Sequence, residues 1–154
     1  MDEKLKKLRL SFVVPGKLAG MSWPELCKPI EDVISHLRQQ NIHTIVNCTT
    51  GNYADESLAQ NFNVLNIPMA NMTAPETEQM DKILEAYRSL PDGQAMAIHC
   101  MHGLGRTGTA IACIIGKEHS LKPNIAIVAV RDKRPGSIES EEQEGFISNY
   151  LLEV

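Results

Sequence analysis

A thiol and a guanidinium stand six positions apart in HCMHGLGRTG, residues 99–108, as Cys100 and Arg106. Gly103 and Gly105 lie between them, and Thr107 and Gly108 follow. A strand ending at Cys100 and a helix starting near Arg106 leave a short loop, which the two glycines let curl with its N–H groups inward. Such a nest at a helix N-terminus is an anion site. Met101, His102, Gly103, Leu104, Gly105 and Arg106 would line it, with Arg106 adding two parallel hydrogen bonds to an oxyanion such as phosphate. Cys100 would lie on the floor of this cup, where the helix dipole and the inward N–H groups favour its thiolate. A thiolate beneath a bound phosphate can attack phosphorus in line, form a phosphocysteine and release an alcohol or phenol, after which water hydrolyses the intermediate. The Thr107 hydroxyl is placed to hydrogen-bond the sulfur and ease its departure. Arg106 and the backbone carry the charge stabilisation, so this chemistry calls for neither a metal nor another cofactor. A metal site from His99, Cys100 and His102 is the less favoured alternative, because neighbouring ligands at a strand end point in opposite directions. The plainest alternative, a buried structural cysteine before a Gly-rich turn, leaves the flanking His99 and Arg-Thr-Gly unexplained.

These residues need a scaffold. The 154 residues are 43% hydrophobic and 22% charged, the make-up of a single domain, 1–154, large enough to bury a core. SFVVPGKLAG reads as a short strand closed by a Pro-Gly turn. Ile30, Val33, Ile34 and Leu37 recur at helical spacing in KPIEDVISHLRQQN, which predicts an amphipathic helix ending near Asn41. IHTIVNC and NVLNIP read as strands, the second stopped by Pro68. TAPETEQMDKILEAYRSLPDG predicts a helix with Thr73 as N-cap, Pro75 and Glu76 in its first turn, and Met80, Ile83, Leu84 and Tyr87 on one face. QAMAIHC is a buried strand, an apolar helix runs from about Arg106 to Lys117, and PNIAIVAVRDKR and EQEGFISNYLLEV supply two final helices. Strands alternating with helices give an α/β domain with a largely parallel central sheet flanked by helices. Ligands in such sheets sit beyond the carboxyl ends of strands, where Cys100 falls.

Charge and cysteine usage narrow the partners. Lys and Arg number 15 against 19 Asp and Glu, a formal net charge of −4 that argues against a general nucleic-acid binder. No apolar run is long enough to cross a bilayer, and MDEKLKKLRLSF lacks the apolar segment of a signal peptide. The expectation is a cytoplasmic monomer with no membrane partner. Cys27, Cys48, Cys100 and Cys113 show no CxxC pairing, which argues against a disulfide framework, and Cys113 on its apolar helix reads as core.

His-Cys-x5-Arg-Ser/Thr-Gly is the signature of the protein tyrosine phosphatase superfamily, and the chain resembles that superfamily over nearly its whole length. FVVPGKLAGM, HCMHGLGRTGTAIAC and RDKRPGSIESEEQEGFISNY resemble the opening strand, phosphate-binding loop and C-terminal segment of the small atypical dual-specificity phosphatases, notably the dual specificity protein phosphatase 23 type. The resemblance implies a dual-specificity phosphatase fold and a phosphorylated protein or peptide partner. Phosphotyrosine is the implied substrate, joined by phosphoserine and phosphothreonine if the cleft is shallow. It implies that Cys100 is the nucleophile, Arg106 the phosphate clamp and Thr107 the partner of the leaving thiolate. His99 would support the loop by hydrogen bonds rather than act as a base. Cys48 could trap an oxidised Cys100 as a reversible disulfide, as in some relatives, although a buried inert thiol is the plainer reading.

Two departures from the family pattern stand out. The superfamily carries a general-acid Asp on a loop after an Ile-Pro strand end, and aligning IPMANMTAP with it puts Asn71 in that place. An amide cannot donate a proton as a carboxylic acid does, and general acid catalysis is worth roughly 10²–10⁴ in rate. A slipped alignment, with Asn71 an ordinary turn residue, is the alternative. Glu139 stands where the family often has a water-orienting Gln. Like-charge repulsion from a phosphate dianion would favour its protonated form, so it could donate a proton or serve as base; a solvated first-turn Glu on the last helix, aided by the dipole, is the alternative. Gln143 matches a second water-handling Gln. The loop holds no lysine, which disfavours inositol phosphates; His102 is its one titratable side chain besides the cysteine and arginine, and Arg131, Lys133 and Arg134 could form a basic rim. The rival reading is a phosphate-binding module with little or no turnover, motivated by Asn71. A rhodanese or arsenate reductase would explain neither Arg-Thr-Gly nor the C-terminal segment.

Overall fold

In the run Ala95–His99, Ala95 and Ala97 belong to one buried cluster and Met96 and Ile98 to another. A strand's period of two sends alternate side chains to opposite faces, so this strand has a core on both sides. The computed structural model describes residues 3–152 and shows how that comes about. Five strands form one sheet: β1 (Ser11–Val14), β2 (Leu18–Met21), β3 (Ile42–Asn47), β4 (Asn63–Asn66) and β5 (Ala95–His99). Their order is β1-β2-β5-β3-β4, with β1 antiparallel to β2 and every other neighbouring pair parallel. The single strand expected in SFVVPGKLAG is therefore a hairpin, turned by Gly16 at φ 71°.

Helices cover both faces. α1 (Ile30–Gln39), the short α2 (Ser57–Asn61) and a 3-10 turn at Glu3–Leu8 supply the cluster that includes Val33, Leu37, Ile45 and Ala97. α3 (Thr77–Arg88), α4 (Gly105–His119), α5 (Pro123–Lys133) and α6 (Glu141–Leu152) supply the other. α4 is buried without interruption from Gly105 to Gly116, wedged between the sheet and its neighbouring helices. That explains an apolar stretch with no polar face.

One boundary differs from the sequence expectation. α3 begins at Thr77, with Glu76 as N-cap, and the Glu76 N–H donates to Gln79 Oε1 at 2.8 Å in a capping box. Thr73 does not cap the helix: its hydroxyl donates to Ala70 O at 2.7 Å. The segment before α3 is tied instead to the start of α6. Ser140 Oγ donates to Met72 O, Gln143 Nε2 to Thr73 O, and the Ala74 N–H to Glu142 Oε2. Those contacts fix residues 72–74 as a strap and postpone the helix.

Candidate active site

The parallel strands β2, β3 and β5 all end at one edge of the sheet, and β5 delivers Cys100 there, three-hundredths exposed. The chain turns through residues 101–104 and enters α4 at Gly105. What shapes this loop is the fate of its carbonyls. Cys100 O accepts from His99 Nδ1 at 3.0 Å, Met101 O from the Trp23 N–H at 2.9 Å, and His102 O from Ser22 Oγ at 3.1 Å. Gly103 O accepts from Arg134 Nη2 at 2.7 Å, and Leu104 O from the N–H groups of Gly108 and Ile138 at 3.0 and 3.1 Å. A trans peptide holds its C=O and the following N–H antiparallel. Five successive carbonyls tethered by surrounding elements therefore turn the N–H groups of residues 101–105 the other way, into the bowl of the loop. Gly103 makes the sharpest bend, at φ 76°, and packs so closely on β2 that a Cβ would lie 2.5 Å from Met21 O.

Thr107, in the first turn of α4, donates from Oγ1 to Cys100 Sγ at 3.0 Å. The sulfur thus faces a hydroxyl donor and the positive end of a fifteen-residue helix. His99 is fully buried and its two ring nitrogens are both engaged. Because a carbonyl can only accept, Nδ1 carries the proton it gives to Cys100 O. Nε2 then accepts from the Tyr53 hydroxyl at 2.6 Å, with Trp23 edge-on to the imidazole at 5.5 Å between centroids. This neutral tautomer agrees with a pKa held down at about 4, chiefly by burial, with the Arg106 charge acting in the same direction. His99 has no free lone pair for a base or for a metal.

Arg106 is buried and donates from Nη1 to Met69 O at 2.9 Å, joining the cup to the loop after β4. Met69 thus touches the arginine through its carbonyl, and Asn71 is exposed. No carboxylate occurs in residues 67–75. Glu139 lies against the first residue of α4. A Cβ on Gly105 would collide with Glu139 Oε1 and come within 3.0 Å of Gln143 Nε2, so both side chains sit directly on the loop's backbone. Their situations differ. Glu139 is exposed, whereas Gln143 is buried and occupied: its Oε1 accepts from the N–H groups of Glu139 and Ser140 at 2.7 and 3.2 Å, and its Nε2 holds Thr73 O. Gln143 braces the rim, and its amide oxygen has no lone pair left for a water. His102 and Met101 are exposed at the mouth of the cup.

The basic rim expected from Arg131, Lys133 and Arg134 does not form as such. Arg134 is 4% exposed and lies beneath the loop, and Arg131 clamps Ser137 O, Ile138 O and Glu144 Oε1. Cys48 is buried, with its N–H donating to His99 O at 2.9 Å, and burial pushes its thiol up. Burial does the same for Cys113, which sits in the core as expected. Among the described residues no group of three His, Cys, Asp or Glu could hold a metal ion, and no helix is long and apolar enough to cross a membrane. Ser22, Trp23, Tyr53 and Met69 were not singled out by residue type. The topology could have pointed to the first two, since they leave β2 beside the end of β5.

Comparison with known proteins agrees with this geometry. The tyrosine-protein phosphatase cdc-14 of Caenorhabditis elegans is 27% identical over 161 residues, which are 98% of this chain and 22% of that protein. PRL-1 phosphatase of Drosophila melanogaster is 29% identical over 140 residues, 85% of this chain and 78% of that protein. This chain thus spans under a quarter of the length of the cdc-14 relative and most of the PRL-1 relative. The crystal structure of Tk-PTP in its active form superposes with a TM-score of 0.82 at 26% identity, covering 94% of this chain and 97% of that one. The family model "PTP-SAK: Swiss Army Knife protein, DSP-PTPase phosphatase domain" matches residues 7–147, which include all five strands and the whole cup, and the chain belongs to that family of cysteine phosphatase domains.

Proposed function

We propose that the chain hydrolyses phosphate monoesters of proteins or peptides, phosphotyrosine foremost, through a phosphocysteine on Cys100. The inward N–H groups of residues 101–105 bind the phosphoryl oxygens, and Arg106 adds its remaining guanidinium donors. The Cys100 thiolate attacks phosphorus in line: the S–P bond forms, the ester P–O bond breaks, and the leaving oxygen takes up a proton. Water then attacks the phosphocysteine, the S–P bond breaks, and inorganic phosphate leaves. Thr107 stabilises the sulfur anion at the start and at the end of the cycle through its 3.0 Å hydrogen bond. That bond, beneath a ring of outward-tethered carbonyls, is the observation that carries this reading. The three segments matched above support a place among the small atypical enzymes of the dual specificity protein phosphatase 23 type.

Proton delivery is the weak step. With Asn71 where the family carries its acid, Glu139 is the carboxylate beside Gly105 that can protonate a leaving oxygen or take a proton from water. Phenols leave with little help, whereas alkyl alcohols need the proton, so aryl esters are the preferred substrates. The absence of a carboxylate from residues 67–75 also favours a second reading, a phosphate-binding module with little turnover. Hydrolysis of p-nitrophenyl phosphate decides between them. The phosphatase reading requires turnover that vanadate inhibits and Cys100→Ser abolishes; vanadate binding without Cys100-dependent turnover establishes the module.

A further inference from the structure

We propose that Arg134 and Ser22 are positioning residues that aim the amides of the cup, and that through them the N-terminal segment Leu8–Ser11 braces the anion site. The inference rests on the phosphatase reading and concerns residues outside the reacting groups.

Two relays run to two consecutive carbonyls of the loop. In the first, the Ser22 N–H donates to Leu8 O at 2.7 Å and the Ser22 hydroxyl to His102 O at 3.1 Å, which turns the Gly103 N–H into the bowl. In the second, Arg134 Nη1 donates to Arg9 O at 2.8 Å, Ser11 Oγ at 2.6 Å and Gly20 O at 2.9 Å. Its Nη2 reaches Gly103 O at 2.7 Å, which turns the Leu104 N–H inward. One planar fork thus joins the N-terminal segment, β2 and the cup. A lysine, with a single nitrogen on a flexible stem, cannot hold that many acceptors in fixed directions.

The site is built at a cost. Arg134 is 4% exposed, and its Nε has no hydrogen-bond partner. The β2 backbone must keep a glycine beside it, because a Cβ on Gly20 would lie 2.7 Å from that nitrogen. Replacing a buried charge by apolar packing is often neutral or stabilising, so stability alone gives weak reason for a guanidinium here. Holding Gly103 O is a reason that packing cannot supply. Burial lowers the Arg134 pKa only to about 10, so the guanidinium stays charged at neutral pH.

The test measures vanadate affinity, and KM and kcat for p-nitrophenyl phosphate, for the wild type, Ser22→Ala and Arg134→Lys. All are read at a temperature where circular dichroism shows each protein folded. Ser22→Ala should bind vanadate about two- to tenfold more weakly, the worth of one hydrogen bond, and Arg134→Lys on the order of tenfold or more, that of a charge-assisted one. KM should rise with each. A purely structural role would lower the unfolding temperature and leave the affinity of the folded protein untouched. Variants that are folded yet bind vanadate within twofold of the wild type overturn the bracing role. Should Arg134→Lys fail to fold, Ser22→Ala decides alone. A wild type that binds no vanadate overturns the phosphatase reading beneath it.

Discussion

Gly103 is where the cup is built most tightly, and Gly103→Ala should damage stability and chemistry together. Alanine at φ 76° pays the left-handed penalty, about 1–2 kcal/mol. Its Cβ would also lie 2.5 Å from Met21 O, 2.7 Å from Met21 C and 2.8 Å from Arg134 Nη2. The first two are backbone atoms of a paired strand, which no rotamer change can move, so the overlap adds about 1–3 kcal/mol. The stiffer unfolded chain returns about 0.4–1 kcal/mol. The net loss is about 1–5 kcal/mol, which lowers the unfolding midpoint by roughly 2–20 °C for a chain of this length. Backbone displaced from β2 also carries Gly103 O away from Arg134, and a charge-assisted hydrogen bond is worth about 1.5–3 kcal/mol, or roughly ten- to a hundredfold in oxyanion affinity. Gly93→Ala is the matched control: φ is 82°, but nothing lies within 4 Å of the added carbon. It should show the left-handed penalty alone, with full turnover. Thermal unfolding by circular dichroism and p-nitrophenyl phosphate kinetics read both effects. If Gly103→Ala melts and turns over like Gly93→Ala, the close packing of the loop on β2 has no energetic meaning and the reasoning fails.

Three further outcomes follow from the site. His99 takes a proton near pH 6.5 in the unfolded chain and only near 4 in the native one, so its contribution to stability is complete above pH 6.5 and is lost as the pH falls towards 4. The loss is about 3 kcal/mol, and urea unfolding of wild type and His99→Asn across that window should show the steeper slope in the wild type; parallel profiles would contradict a neutral buried imidazole. Tyr53→Phe leaves His99 Nε2 buried without a donor and should cost about 1–3 kcal/mol in urea unfolding, with turnover reduced rather than abolished. Glu139→Ala should lower alkyl phosphate turnover on the order of 10²-fold and aryl phosphate turnover by less, against little change for Asn71→Ala, while Asn71→Asp should speed hydrolysis of an alkyl phosphate. Equal, near-wild-type rates for the first two variants would remove Glu139 from the proton pathway, and an unchanged rate for the third would show that Asn71 does not stand in the acid's place.

What could be read from the sequence was whatever local pattern decides. Ile30, Val33, Ile34 and Leu37 predicted α1 because helical spacing is a property of neighbours, and Val33 and Leu37 are buried as that spacing requires. The apolar run after Arg106 likewise predicted the buried α4. Cys100, Arg106 and Thr107 were legible for the same reason: one loop and one helical turn bring them together. Residues that act across the fold were hidden. Ser22 and Arg134 are separated from their partners in the cup by 80 and 31 positions, and nothing in Ser-Trp or Lys-Arg-Pro says that a carbonyl waits at the other end. Arg134 was misread as a rim cation because charge usually seeks water, and only the tertiary fold supplies four acceptors that let it stay buried. Thr73 failed as a cap because α6, more than 60 positions away, had already engaged residues 72–74.

The same contrast separates the two tasks of the site. The cup is built from many supports: its five carbonyls are tethered from Trp23 just after β2, from α4, from the segment before α6 and by the side chains of His99, Ser22 and Arg134. In the proposed reaction its amides would act on phosphoryl charge during both attack by sulfur and attack by water, and being already oriented they would cost no reorganisation in either. Proton delivery is a different matter. It falls most heavily on departure of the ester oxygen, and it depends on one carboxylate of correct reach. The loop after β4 is pinned by Arg106, Ser140 and Gln143, yet residues 67–75 contain no carboxylate. On the proposed reading, with Asn71 in the acid's place, such a scaffold would bind phosphoryl groups generally and turn over those whose leaving oxygen needs the least help. Selection among substrates would then lie in the acidity of the departing hydroxyl rather than in the affinity of the cup.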